Sequence, residues 1–204
     1  MQNCTTKNLL EEAQQEFSVK GFEGTSLADI LNHAGLKEAD FEDGCPEKAA
    51  LFDALVSDAA EGLMRIFRSA QNAHFDLIPS GQKADNQEVA AQNMEKFVNF
   101  IYDHLDAFRL ILTKSEGTPY ADYIQEIVNL DVARTEEFYA ELRRTGRSNV
   151  KISYQLHRVI SRAYFTGVFD TVICNMPRDE ALRNVTELSA FFRYGWMGFT
   201  AQQK

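Results

Sequence analysis

Four carboxylates, Glu38, Asp40, Glu42 and Asp43, crowd into six consecutive residues, with Lys37 the one cation beside them. An ionised carboxylate only accepts hydrogen bonds, so such a run can receive the amino group of a cytosine, provided other residues hold the phosphates. A plainer role fits part of it. Acidic side chains in the first turn of a helix favour its positive end by roughly 0.3–1 kcal/mol each, which suits Glu38 and Asp40; Glu42 and Asp43 fall too late. Catalytic chemistry finds less support. His33, His74, His104 and His157 lack the His-Glu-x-x-His spacing of a zinc-binding helix. There is no phosphate-cradling glycine loop and no nucleophile elbow. Single Cys and Ser residues have no identifiable base nearby in sequence. No catalytic residue, metal ligand or cofactor is assigned, and an enzyme assembled from scattered residues stays a minor alternative.

The elements that must position these groups read as helices. Leu9, Leu10, Ala13 and Phe17 recur at helical spacing, which predicts an amphipathic helix over residues 5–20, ended by Gly21. Thr25 can cap a short helix bearing Leu27, Ile30 and Leu31. Gly35 can supply a left-handed turn into a third helix that carries Leu36 and Phe41. Helix, glycine turn and helix make a helix-turn-helix layout. Pro46 suits the first turn of a long helix with Leu51, Leu55, Ala59, Leu63, Ile66 and Phe67 on one stripe. Pro79-Ser80-Gly81 breaks the chain. Further helices are expected near 87–104, 105–112, from Thr118-Pro119 to Arg144, 151–175 and 178–200. The fold class is all-α, with about nine helices: a head at 1–46 and a body at 47–204.

The chain has 204 residues and a net charge of −9, unevenly placed. Residues 1–50 hold four Lys, no Arg and ten Asp or Glu, for a net −6. Duplex DNA is held mainly by Lys and Arg on its phosphates, so the segment with the helix-turn-helix layout has the charge least suited to it. No apolar run approaches the roughly 20 residues of a membrane span. The start, Met1 to Lys7, lacks the basic and apolar blocks of a signal peptide, so a cytoplasmic protein without membrane partners is expected. Cys4, Cys45 and Cys174 are odd in number and read as reduced thiols.

The run Leu9-Leu10-x-x-Ala13-x-x-x-Phe17-x-x-x-Gly21-Phe22-x-x-Thr25-Ser26-Leu27-x-x-Ile30-x-x-x-Ala34-Gly35-Leu36, continued by Phe41-x-x-x-x-Pro46-x-Lys48-x-x-Leu51, resembles the N-terminal signature of the tetracycline-repressor family. Phe191-Phe192-x-x-Gly195-Trp196 looks like the last helix of several such regulators. The resemblance implies a ligand-responsive, DNA-binding transcriptional regulator, usually a repressor. It acts as a homodimer whose two reading helices lie about 34–36 Å apart on a palindromic operator. It implies backbone contacts by Thr25 and Lys48. Glu42 stands where the family usually has a tyrosine directed at phosphate. The DNA-binding candidates are Thr25, Lys37, Asp40, Asp43 and Lys48, with Asp40 and Asp43 nearest the bases. The alternative is a head without operator binding, in a protein serving as a small-molecule or protein-partner module.

Two further sites follow from the body. Met64, Phe67, Met94, Phe97, Phe108, Tyr120, Tyr123 and Phe138 are candidates to line a pocket for a small apolar or amphipathic ligand. Tyr102 and Tyr139 belong to the same set, and His104, Arg109 and His157 are possible polar anchors. Each is also an ordinary core or surface residue on its own. The last two helices are apolar on more than one stripe, so each must bury two faces. Val159, Ala163, Phe169, Val185, Leu188, Phe192 and Trp196 are the candidates for a homodimer interface.

Overall fold

A computed structural model describes residues 2–41, 44–77 and 85–202, with side chains described from Lys7 and omitted over 74–90. Among them are eight α-helices, one 3-10 turn and no strand. The chain divides into two compact units: residues 1–62 with 104–123, and residues 63–103 with 124–204. The first is larger than the head expected at 1–46, because residues 47–62 and 104–123 belong to it.

In the first unit, α1 (Gln2–Gly24) buries Leu9, Ala13 and Phe17, one residue per turn along a single face. Its helical path breaks at Gly21, whose φ of 75° and ψ of 171° lie in a region open essentially to glycine alone. The break turns the Phe22 N–H toward the Lys114 carbonyl at 2.9 Å. It also lets the Phe22 ring stack on Phe17, centroids 5.9 Å apart, and meet Phe52 edge-on at 5.4 Å.

The short helix α2 (Leu27–Ala34) buries Ile30 and Leu31. Ser26, not Thr25, caps it, accepting the Asp29 N–H at 3.1 Å. Gly35 ends it in the left-handed conformation, with Leu36 N–H donating to the Leu31 carbonyl at 2.9 Å. The expected third helix is the main departure. Its described part is a single 3-10 turn, Glu38–Asp40, followed by extended backbone at Phe41. The local cause is the Asp40 carboxylate, which accepts the Lys37 N–H at 2.7 Å and closes the turn on itself. On a continued α-helix Glu38 and Glu42 would stand four residues apart, a like-charge pair costing roughly 0.2–0.5 kcal/mol.

Helix α3 (Lys48–Leu77) supplies residues to both units. Pro46 precedes it, and the Glu47 carbonyl accepts the Leu51 N–H at 3.1 Å, so the proline lies outside the first turn rather than within it. Within the first unit α3 buries Leu51, Phe52, Val56, Ala59 and Ala60. The helix α5 (Leu105–Thr113) adds Phe108, Leu110 and Ile111, and packs on α1.

The second unit holds the end of α3 with α4 (Asp85–Asp103), most of α6 (Tyr123–Arg144), α7 (Tyr154–Ile173) and α8 (Arg178–Ala201). Ser153 caps α7, and Asp179 and Glu180 occupy the first turn of α8. Asn175, at φ 54°, turns the chain between them. The Tyr102 hydroxyl tethers that turn from 2.8 Å to the Met176 carbonyl. A side chain at Gly167 would come within 2.9 Å of Leu188, so this glycine sets the close approach of α7 and α8.

Candidate functional site

Every helix of the second unit contributes to one cavity of about 460 Å³. From α3 come Phe67, Ala70 and Gln71; from α4, Asn93, Met94 and Phe97. The α6 face is Asp131, Thr135, Phe138 and Tyr139, spaced as one side of a helix. The α7 face is His157, Ile160, Ser161, Tyr164 and Phe165, and the α8 face Ser189, Phe192, Arg193 and Trp196. The volume falls in the range of small-molecule sites, about 300–1,000 Å³.

Its wall is largely aromatic. Phe67 meets Phe165 edge-on at 5.3 Å and Phe97 at 6.1 Å. Tyr164 meets Phe192 at 5.3 Å, and Trp196 faces His157 at 5.1 Å.

Against this wall sits a polar centre on Asp131. Gln71 Nε2 donates to one carboxylate oxygen at 3.1 Å, and Ser161 Oγ to the other at 2.6 Å. His157 Nε2 lies 3.8 Å from that second oxygen, too far for a hydrogen bond. Burial holds the His157 pKa below the ordinary histidine value, against the opposing pull of Asp131 and Glu136. The imidazole is therefore neutral at pH 7.

Two tyrosines are held as neutral phenols. Trp196 Nε1 donates to the Tyr139 hydroxyl at 3.0 Å, and burial raises the Tyr139 pKa despite that donor. The Ser189 hydroxyl gives its proton to the Val185 carbonyl at 2.6 Å, so Tyr164 is the donor in its 2.8 Å contact with Ser189. Burial pushes the Tyr164 pKa up to about 12. Two side-chain atoms of lining residues, Gln71 Oε1 and Arg193 Nε, are buried without a hydrogen-bond partner in the protein.

Four of the eight ligand candidates thus come together, Phe67, Met94, Phe97 and Phe138. Met64 is on α3 but not in the lining. The other three are residues of the first unit: Phe108 is core, Tyr123 donates to the Ala60 carbonyl at 2.7 Å, and the Tyr120 hydroxyl donates to Asp53. Of the polar anchors, His157 is in the cavity; His104 and Arg109 are in the first unit, Arg109 paired with Asp106.

The dimer candidates divide. Phe169 and Val185 are fully buried inside the second unit, Phe169 against Phe97, so neither can face a partner. Leu188 packs at Gly167, and Phe192 and Trp196 line the cavity. Val159 and Ala163 are exposed, Val159 at 61%. Leu156, Phe191, Tyr194 and Met197 are exposed too.

Among the DNA candidates, Thr25 is 3% exposed and its hydroxyl donates to the Gly21 carbonyl at 2.7 Å. Lys48 Nζ donates to the Phe22 and Thr25 carbonyls at 2.8 and 2.9 Å, with the ammonium 4.2 Å from the Phe22 ring centre. Lys37 is exposed, and the Asp40 carboxylate caps its own turn. Asp43 lies outside the described residues, as do Glu42 and the side chains of Cys4 and His74. Among the described residues no group of three or more His, Cys, Asp or Glu side chains is placed to hold a metal. No described helix is long and apolar enough to cross a membrane. No protein-family model matches the chain, and no curated protein matches it either.

Proposed function

We propose that this protein binds a small apolar or amphipathic molecule in the cavity of its second unit and acts as a ligand sensor. The observation that carries this reading is the pairing of an aromatic wall with a few converging polar groups, Asp131, Gln71, Ser161 and His157, in one cavity. A homodimer belongs to the same reading, since Val159, Phe191, Tyr194 and Met197 leave apolar surface on α7 and α8 that a second copy would cover. The test is a titration of the purified protein with biphenyl-sized aromatic probes, read by calorimetry and by the emission of Trp196. Trp196 is the sole tryptophan and lines the cavity, so its emission reports on the site. Saturable binding that changes that emission supports the reading; no binding sinks it.

A second reading, a DNA-binding regulator of the tetracycline-repressor type, is favoured by one observation. The pair α1 and α2, closed by left-handed Gly35, keeps the helix and turn that such a head requires. Two of its candidate contacts, Thr25 and Lys48, have inward partners in this structure. Binding that depends on sequence at low salt and weakens at moderate salt would support this reading. Absence of any selective binding at low salt would leave the sensor without an operator.

A further inference from the structure

The cavity lining holds one carboxyl group, Asp131, and one guanidinium, Arg193, and the two are satisfied unequally. Both oxygens of Asp131 accept from lining residues, Gln71 at 3.1 Å and Ser161 at 2.6 Å. Arg193 has no acceptor among the described residues, whereas Arg109, Arg134, Arg143, Arg144 and Arg178 each reach a carboxylate within 3.3 Å. An arginine stays protonated at any ordinary pH, so its charge needs a partner from outside the chain. Its Nε is buried, while the terminal Nη atoms keep access and are the ones a ligand can reach. The guanidinium carbon lies 5.0 Å from the ring centre of Tyr194, itself 65% exposed, so the charge sits at the rim of the cavity rather than in its depth.

Neutral donors belong to the same part of the lining. Trp196, one turn beyond Arg193 on α8, gives its N–H to the Tyr139 hydroxyl at 3.0 Å. The Tyr139 proton itself has no acceptor among the described residues. The Thr135 hydroxyl, one turn before Tyr139 on the same face of α6, has no partner there either. A ligand that brings negative charge and two oxygens completes this set. The planar fork of a guanidinium matches a carboxylate through two parallel hydrogen bonds.

We infer that the cavity takes an aromatic carboxylate, its acid group received by the Nη atoms of Arg193 and the Tyr139 hydroxyl while its ring system packs among Phe67, Phe97, Phe165 and Phe192. The inference rests on the sensor reading above and names the ligand class for that site. Aromatic bodies suit a wall of phenylalanine rings, which prefer offset or edge-on partners.

The experiment compares biphenyl-4-carboxylate with biphenyl-4-carboxamide, a neutral probe of the same shape, on the full chain at pH 7 by calorimetry and Trp196 emission. The expected result is about tenfold tighter binding of the carboxylate, which corresponds to about 1.4 kcal/mol. In Arg193→Met, which keeps the stem and removes the charge, the two probes should bind within about twofold of each other. Arg158→Met removes the same charge from an exposed residue of α7 outside the lining, and should keep the preference. Equal affinities in the wild-type protein overturn the inference while leaving the cavity as a binding site. A preference that survives Arg193→Met, or that Arg158→Met abolishes as fully, overturns it too. If neither probe binds or changes Trp196 emission, the sensor reading itself falls. Should Arg193→Met fail to fold by circular dichroism, Arg193→Gln, uncharged with a polar tip, is read in its place.

Discussion

Replacing Lys48 by Met asks whether this lysine is a building element or a DNA contact. Its ammonium donates to two carbonyls, Phe22 and Thr25, at 2.8 and 2.9 Å, and sits 4.2 Å from the Phe22 ring centre. Hydrogen bonds to a charged group contribute about 1.5–3 kcal/mol each. A cation over an aromatic face adds about 0.5–1 kcal/mol at an exposed site. The simple total overshoots, because Lys48 is half-buried and water can reach carbonyls left behind. Methionine also keeps the packing of the aliphatic stem. We therefore expect a loss of about 2 kcal/mol. For a chain of this size that corresponds to a fall in melting temperature of about 4–8 °C. Urea and thermal unfolding, followed by far-ultraviolet circular dichroism, measure it in the absence of any DNA. Lys37→Met is the control: an exposed lysine with no packed partner should change stability by less than about 0.5 kcal/mol. If Lys48→Met is equally silent, the inward contacts contribute nothing, and the lysine returns to the pool of cations available for phosphate.

Gly21→Ala should cost about 1–3 kcal/mol through backbone strain alone, since the added Cβ meets nothing closer than 3.8 Å; unfolding midpoints measure it. His157 gives a pH dependence of known sign. Its folded pKa is lowered, so the unfolded chain takes up the proton first. Stability should be constant above about pH 6.5, the unfolded value, and fall as pH drops through the folded one. His157→Phe should flatten that fall in urea midpoints taken between about pH 7 and 5; an unchanged slope would assign it to other groups. Phe191→Glu, at a residue 74% exposed, should leave the fold intact and halve the mass in sedimentation if α8 faces a second copy. An unchanged mass would remove that face from the dimer reading. Glu42→Tyr combined with Asp43→His should tighten DNA binding at low salt if acidic charge is the obstacle.

The helices were legible because their cores repeat at helical spacing. Leu9, Ala13 and Phe17 on α1, and Ile30 and Leu31 on α2, are buried as their spacing requires. The third helix was misread because periodicity cannot weigh a local cap: Asp40 returns to the Lys37 N–H and closes a short turn instead. The N-cap was misplaced by one residue for a related reason. Thr25 and Ser26 both carry hydroxyls; the first turns back to the Gly21 carbonyl four residues earlier, and the second is left to cap α2. On α7 and α8 the apolar content announced two buried faces without saying which residue serves which. Phe169 and Val185 went to the interior, while Val159 and Phe191 stayed outside.

Sequence marks only part of the cavity: Phe67, Phe97, Phe138 and Tyr139 stand out as pocket aromatics and His157 as a polar anchor, while Phe192 and Trp196 read as dimer-face residues and the rest of the polar centre does not stand out. Gln71, Asp131 and Ser161 are ordinary surface types, and nothing in their composition marks them. Their signal is positional. Gln71 continues the buried stripe Leu63-Phe67 on α3, Asp131 follows Ile127 one turn on in α6, and Ser161 precedes Phe165 by one turn in α7. A polar residue on an apolar stripe is costly unless it finds a partner, since an unpaired buried group loses its water for nothing. Three such interruptions, on three helices, meet at one carboxylate. That convergence satisfies most of their hydrogen-bonding capacity and leaves one buried acceptor, Gln71 Oε1, without a partner in the protein. A structural network could have ended with every group paired, or with three apolar residues in their place at no loss of stability. A carboxylate held by two donors beside an aromatic wall is the arrangement expected of a small-molecule site.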